Sequence, residues 1–233
     1  MNTHTNPINK VDFLKKVPIF SELARKDLER IAQVAHSRKY YRENVILIEE
    51  EAGQTLFIVM NGQVKISRVS EDGREVILAV MGEGDFFGEL SLLDGQSRSA
   101  NVTVLKDSEM LLIHRDDFLR LLNEFPQIAI NLLRELAGRL RKSDAQIKSL
   151  SLKNATGKVT ATLLRLAEDI GVFADKQLEI SNLPTQQDLA NMAGTSRETI
   201  SRVIQKLINR KEVFKEGNKL IILDYERFRK EYS

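Results

Sequence analysis

Between Gly82 and Ala100 the chain reads GEGDFFGELSLLDGQSRSA, which sets Gly88, Glu89, Arg98 and Ser99 within one short glycine-rich stretch. A glycine at 88 lets the chain turn so that a short helix starts near Glu89, with free backbone N–H groups aimed at an anion. Arg98 offers a forked donor to neutralise that anion, and Ser99 adds a hydroxyl. Glu89 makes little sense as an anion ligand, whereas its carboxylate can accept from a sugar hydroxyl. Phosphate plus ribose is a nucleotide. The competing reading is plainer: Arg98 and Glu89 form a surface ion pair beside a turn.

A second chemistry lies in TQQDLANMAGTSRETISRVIQKL, Thr185 to Leu207. Pro184 and Thr185 start one helix, with Asp188 placed for a capping box. Gly194 permits a sharp turn, and Thr195 or Ser196 caps the next helix. On that second helix Ile200, Ile204 and Leu207 form an inward face. Arg197, Glu198, Ser201, Arg202 and Gln205 fall on the other side, and Gln187 joins them from the first helix. Such a set suits the major groove of double-stranded DNA. Arg can form two hydrogen bonds to guanine, and Glu can accept from the cytosine amino group. Ser196 and Thr199 stand where phosphates meet a helix start. Glu198 also has local readings, as the partner of Thr195 in a capping box or of Arg202 one turn on. The flank is basic, with Arg210, Lys211, Lys215 and Lys219. Val213-Phe214 and Leu220–Leu223, on either side of Glu216-Gly217-Asn218, form a wing.

The elements that must position these groups are legible in outline. Up to His36 the pattern is helical. From Lys39 to His114 short apolar runs appear at Val45–Ile48, Leu56–Met60, Val64–Val69, Val76–Met81, Val102–Leu105 and Met110–Ile113. Glycine-bearing turns separate them, Asn61-Gly62 and Asp72-Gly73 included, which points to an antiparallel sandwich or jelly roll. After Pro126 the period becomes helical for almost thirty residues. Ala129, Leu133, Leu136, Leu140, Ser143, Ile147, Leu150 and Asn154 step by four and three, the a/d seam of a two-stranded coiled coil. The alternative is a helix packed on its own domain, which usually shows a wider apolar stripe. Ser143 is a polar break that can set register or meet a ligand from two subunits. Asn154 to Gly157 interrupts the periodicity and reads as a hinge. Beyond it come a helix near Lys158–Glu168, a polar loop, two short helices and a terminal hairpin. The division expected is 1–125, 126–154 and 155–233.

Composition narrows the classes. The 233 residues are 42% hydrophobic and 29% charged, as in a folded chain. No apolar run approaches the roughly 20 residues of a membrane span. The stretch with Thr3, His4, Asn6 and Pro7 has no signal-peptide core, so the cytoplasm is the expected compartment. Zero cysteines exclude a Cys-ligated iron–sulfur cluster, a disulfide and a thiol nucleophile. The scattered His4, His36 and His114 disfavour haem while leaving a single His ligand open. No catalytic triad order, metal-ligand cluster or triphosphate loop appears, so no enzyme is expected. The net charge of +2 hides a split: residues 1–130 hold 16 Lys+Arg against 20 Asp+Glu, residues 131–233 hold 19 against 13. A basic back half is suited to a polyanion.

In its motifs the chain resembles the CRP/FNR-like bacterial transcription regulators. Phe87 to Leu90 with Arg98 to Ala100 is similar to their cyclic-nucleotide phosphate-binding cassette, and Ser196 to Thr199 with Arg202 to their recognition helix. The resemblance implies an α+β chain: an N-terminal cyclic-nucleotide-binding β-roll, a long dimerisation helix and a C-terminal winged helix-turn-helix. It implies that Arg98 and Ser99 bind the cyclic phosphate, Glu89 the ribose 2′-hydroxyl, and Gly88 and Leu90 the anion through backbone groups. The family's adenine-contacting Thr-Ser pair falls on Ser143 and Asp144, and Asp144 departs from that pattern. Cyclic AMP is then the first effector expected, cyclic GMP the second, with loss of ligand dependence third. No tightly bound cofactor is implied. The implied partners are DNA with TGTGA-like half-sites read by Arg197, Glu198 and Arg202, a second copy of the chain, and RNA polymerase, with no membrane.

Overall fold

The computed structural model describes residues 9–232. The amino-terminal stretch read above for signal-peptide character, His4 included, lies outside them. The chain divides into two compact units, one holding the residues up to Ile66 with Met81–Arg141, the other Ser67–Val80 with Lys142–Ser233. Among the described residues no helix is long and apolar enough to cross a membrane.

The first unit opens with α1 (Lys10–Leu14), a 3-10 turn at Pro18–Phe20 and α2 (Arg25–Val34). The strands that follow are β1 (His36–Tyr40), β2 (Val45–Leu47), β3 (Thr55–Val69), β4 (Glu75–Met81), β5 (Phe86–Phe87) and β6 (Asn101–His114), of which the end of β3 and nearly all of β4 fall in the second unit. The order is β1-β6-β3-β4, with β2 on β6 and β5 on β3. The pairings of β6 with β1 and β2, and of β3 with β5, are antiparallel. Alternation along β3 explains its place: Leu56, Ile58 and Met60 point into a core shared with α1, α2 and the helices that follow, and Phe57 and Val59 into a second core with Phe87, Val102, Val104 and Met110. A strand buried on both faces has no polar partner positions, hence the continuous apolar run.

The expected turn at Asn61-Gly62 lies inside a strand, and two pairs of runs merge. Leu56–Met60 and Val64–Val69 are one strand, β3, and the two later runs are both parts of β6. Gly62, at φ 103°, serves a close approach, since a Cβ there would sit 2.1 Å from Ser108 Oγ, which accepts the Gln63 N–H. Strand β1, HSRKY, carries no apolar alternation because it is an exposed edge. Helix α3 (Glu89–Asp94) lies between β5 and β6, and α4 (Arg115–Glu124) buries Phe118 and Leu121 before Pro126 opens α5 (Pro126–Leu152).

In the second unit α6 (Ala155–Ile170) starts earlier than expected, because Asn154 Oδ1 accepts the Gly157 N–H at 3.0 Å and caps it. Residues 155–157 are therefore helical, and the break is confined to Lys153-Asn154. The expected polar loop is a hairpin, β7 (Val172–Ala174) and β8 (Gln177–Ile180), turning through Asp175 at φ 57°. With β9 (Val213–Glu216) and β10 (Lys219–Ile222) it forms a sheet of order β7-β8-β10-β9. Helices α7 (Gln186–Ala193) and α8 (Arg197–Asn209) precede the wing. The chain then ends in a helix, α9 (Tyr225–Tyr232), and not in the hairpin, because Tyr225 and Phe228 bury one face.

Candidate functional site

Buried Phe86 and Phe87 on β5 bring the chain to Gly88, whose φ of 83° and ψ of 6° belong to the left-handed region that glycine tolerates without strain. Helix α3 follows at once, and the return loop delivers Arg98. Arg98 as a residue is 5% exposed. Its Nη1 donates to the Gly88 carbonyl at 2.7 Å and to Ser91 Oγ at 2.8 Å, and Nη2 donates to the Thr55 carbonyl at 2.9 Å. Nε is buried and has no partner among the described residues. The space is tailored to this side chain: a Cβ at Gly53 would fall 2.2 Å from Nε, and one at Gly88 would fall 2.7 Å from Nη1. Burial pushes the Arg98 pKa down and the charge of Glu89 opposes it. An arginine stays charged regardless. The result is a buried cation with unused donor capacity, suited to an anion.

A cavity of about 110 Å³ opens beside it, with Gly88, Glu89, Leu90, Arg98, Ser99 and the unexpected Arg139 in its walls. Glu89 is buried at 3% exposure, and Arg139 on α5 donates to its Oε1 at 2.9 Å. The same arginine donates to the Phe86 carbonyl at 2.6 Å and stacks 4.3 Å over the Phe86 ring. The surface ion pair of Arg98 with Glu89 is therefore the wrong reading: both are buried, and Glu89 has a different partner. Nothing in the sequence marks Arg139, which lies fifty positions from Glu89 on a helix read for its seam. Gly53, which clears the space for Arg98, is the second residue missed.

Burial raises the Glu89 pKa, while the charges of Arg139 and then Arg98 lower it. A raised carboxyl holds its proton more tightly in the folded state, so stability falls as pH rises from the ordinary value of about 4.3 through the folded value. In Arg139→Ala protein the folded value climbs further. The expected deficit is on the order of 1–3 kcal/mol at neutral pH, discounted for the partial exposure of Arg139. It shrinks as pH falls toward the ordinary carboxyl range, which thermal unfolding at about pH 7 and about pH 5 would read out.

Ser143 and Asp144 lie exposed on α5, outside the walls of this cavity. The helix has two faces. One buries Ile128, Asn131 and Leu132, and the other leaves Leu133, Leu140 and Ile147 exposed at 66%, 64% and 62%. Their seven-residue spacing makes an apolar stripe along the helix.

The second surface is built as read. Thr185 and Asp188 form a full capping box on α7, Gly194 takes φ 56°, and Ser196, in place of Thr195, caps α8 by accepting the Thr199 N–H at 3.3 Å. Ile200, Ile204 and Leu207 are buried, with Val203 added to them. Arg197, Glu198, Ser201, Arg202 and Gln205 are exposed along the other face, and so is Gln187 on α7. Helix-start N–H bonding, then Ser196, holds the Glu198 carboxyl below its usual range. Arg202 Nη2 reaches Thr199 Oγ1 at 3.3 Å. Part of the basic flank is engaged internally: Lys219 pairs with Glu179 at 2.5 Å and Arg210 reaches Tyr232 Oη at 3.4 Å.

A buried arginine cradle in a β-sheet domain and a winged helix-turn-helix in one chain define a class, the two-domain helix-turn-helix regulators. Residues 37–125 match the cyclic nucleotide-binding domain family, and residues 157–231 match the Crp-like helix-turn-helix domain family. The chain is 36% identical to the cyclic AMP receptor protein of Thermus thermophilus over 194 residues, 83% of this chain and 87% of that one. It is 31% identical to the CRP-like cAMP-activated global transcriptional regulator of Mycobacterium tuberculosis over 216 residues, 93% of this chain and 96% of that one. Its fold is similar to that of FixK2 from Bradyrhizobium japonicum, with a TM-score of 0.75, 24% identity and coverage of 84% and 96%. The chain belongs to the CRP/FNR family of transcription regulators.

Proposed function

We propose that the protein is a homodimeric regulator whose DNA binding is controlled by a cyclic nucleotide, cyclic AMP first and cyclic GMP second. The observation that carries this reading is Arg98, buried between Gly53 and Gly88 with its Nε unmatched. Arg98 and Ser99 hold the cyclic phosphate with the N–H groups of Gly88 and Leu90, and Glu89 accepts from the ribose 2′-hydroxyl after exchanging part of its bond to Arg139. The cavity, about 110 Å³, is smaller than the 300–1,000 Å³ of typical ligand sites, so the base extends out of it. This reading assigns the base to Ser143 and Asp144, both exposed on α5. Calorimetric titration with cyclic AMP, cyclic GMP and unmodified AMP tests the assignment, with saturable heat expected from a cyclic nucleotide.

A second reading has its own support. Arg98 already satisfies three protein acceptors and Glu89 is already paired, so the cradle is nearly self-sufficient. A ligand-independent regulator using this domain as a dimer scaffold predicts no heat from any of the three nucleotides.

The working division is a sensor domain at 1–125, a dimerisation helix and hinge at 126–154 and a DNA-binding domain at 155–233, acting in the cytoplasm with RNA polymerase as a partner. Paired recognition helices roughly 34 Å apart would read a palindrome. Arg197, Glu198 and Arg202 read TGTGA-like half-sites, Ser201, Gln205 and Gln187 support them, and Ser196 and Thr199 contact phosphates. Arg202→Ala is expected to cost about 1–3 kcal/mol and to relax preference at one base position. Site selection from random duplexes checks this, and an unchanged preference rejects the role.

A further inference from the structure

The crook where α5 turns back into α6 contains a cavity of about 370 Å³ that neither the nucleotide nor the DNA reading uses. Its walls come from the carboxyl-terminal turns of α5, from α6, from α7 and from α9. Leu150, Leu164 and Met192 supply apolar surface, yet six of the lining side chains are Lys or Arg and only Glu168 is acidic. Some of that charge is committed: Lys142 pairs with Asp169 at 2.5 Å, and Lys153 donates to the Tyr232 carbonyl at 2.7 Å.

Arg165, on α6, is different. Its Nη1 reaches the Leu78 carbonyl only at a stretched 3.5 Å. Its Nε and Nη2 are both buried with no partner among the described residues. Those two nitrogens form one edge of the planar guanidinium, the edge that offers two parallel N–H donors to the two oxygens of a carboxylate. Burial pushes the Arg165 pKa down, with Asp169 opposing, so this cation lacks the solvation an anion would replace. The volume lies in the range of small-molecule sites, whose walls combine apolar surface with a few placed polar groups.

We propose that this crook is a second ligand site, taking a monocarboxylate with an aliphatic body, its head on the Nε–Nη2 edge of Arg165 and its chain against Leu150, Leu164 and Met192. Such a ligand touches both helices that flank the Lys153-Asn154 break and fixes the angle between them. The site stands independently of the nucleotide assignment, because none of its residues belongs to the Arg98 cradle.

The test is calorimetric titration of the full chain with decanoate, decanol and acetate. Saturable binding of one decanoate per chain is expected, with decanol and acetate weaker by about tenfold or more, since one lacks the charge and the other the body. Arg165→Lys keeps the charge and removes the fork, and it should weaken decanoate by about tenfold. Ala161→Phe, in the cavity wall, should block it while leaving the Arg165 side chain in place. Circular dichroism of both variants checks that they fold. No saturable binding of decanoate, equal affinity for decanoate and decanol, or undiminished binding in the two folded variants overturns the proposal.

Discussion

Arg98→Gln protein is expected to lose about 10²- to 10³-fold in affinity for its cyclic nucleotide, the largest effect of any single change in the sensor. A charged hydrogen-bonded partner removed from a desolvated site costs about 2–5 kcal/mol of binding, because the anion is left without its counter-charge. Glutamine retains a donor of shorter reach for the Gly88 or Thr55 carbonyl, both of which Arg98 now satisfies. The fold survives in part for that reason, and thermal unfolding measured beside the calorimetry separates lost binding from lost structure. A folded Arg98→Gln protein that binds cyclic AMP as the parent does would remove Arg98 from the phosphate site. Arg98→Lys should recover little, since a point charge cannot reproduce the fork between the walls set by Gly53 and Gly88.

The second large effect is expected at Leu140. This residue is 64% exposed in the single chain, midway between Leu133 and Ile147 on the apolar stripe. Pairing two copies of α5 would bury it against its mate, worth about 1.5–3 kcal/mol for each leucine covered. Leu140→Arg forfeits both leucines of the dimer and sets two like charges together in the seam. Dissociation at micromolar concentration is expected, read by analytical ultracentrifugation. Affinity for a palindrome should drop by about 10²- to 10⁴-fold, because the second half-site is no longer tethered to the first. The helix itself should persist, since the side chain is largely in solvent before pairing. A Leu140→Arg protein that stays dimeric would place the interface elsewhere.

Legibility followed how local each determinant is. The capping box at Thr185 and Asp188, the left-handed Gly194 and the inward face of α8 are each set within a few residues, and they stand as the sequence implies. Gly88 likewise starts α3 where its turn requires. The readings that failed depend on distant neighbours. Asn61-Gly62 looks like a hairpin turn in isolation, yet Gly62 is glycine because Ser108 on β6 lies against it. Strand β1 is an edge with polar residues on both faces, so no period-2 signal exists to find. The β7–β8 turn is made by a non-glycine residue, Asp175, at positive φ. At the site the pattern is the same. Gly88, Glu89, Leu90, Arg98 and Ser99 converge from one short segment, but the partner of Glu89 comes from α5 and the space for Arg98 from Gly53. A seam of alternating threes and fours also hides two faces, the buried one at Ile128 and Leu132 and the exposed one at Leu133, Leu140 and Ile147.

Control of the recognition helices by occupancy of the Arg98 cradle is read out by fluorescence anisotropy on a palindromic TGTGA-containing duplex. DNA affinity would be measured without nucleotide, and then with saturating cyclic AMP, cyclic GMP or AMP, at one fixed salt concentration. A cyclic nucleotide is expected to tighten DNA binding by about 5- to 150-fold, DNA to tighten nucleotide binding by the same factor, and AMP to do neither. Identical DNA affinity under all four conditions would contradict that control.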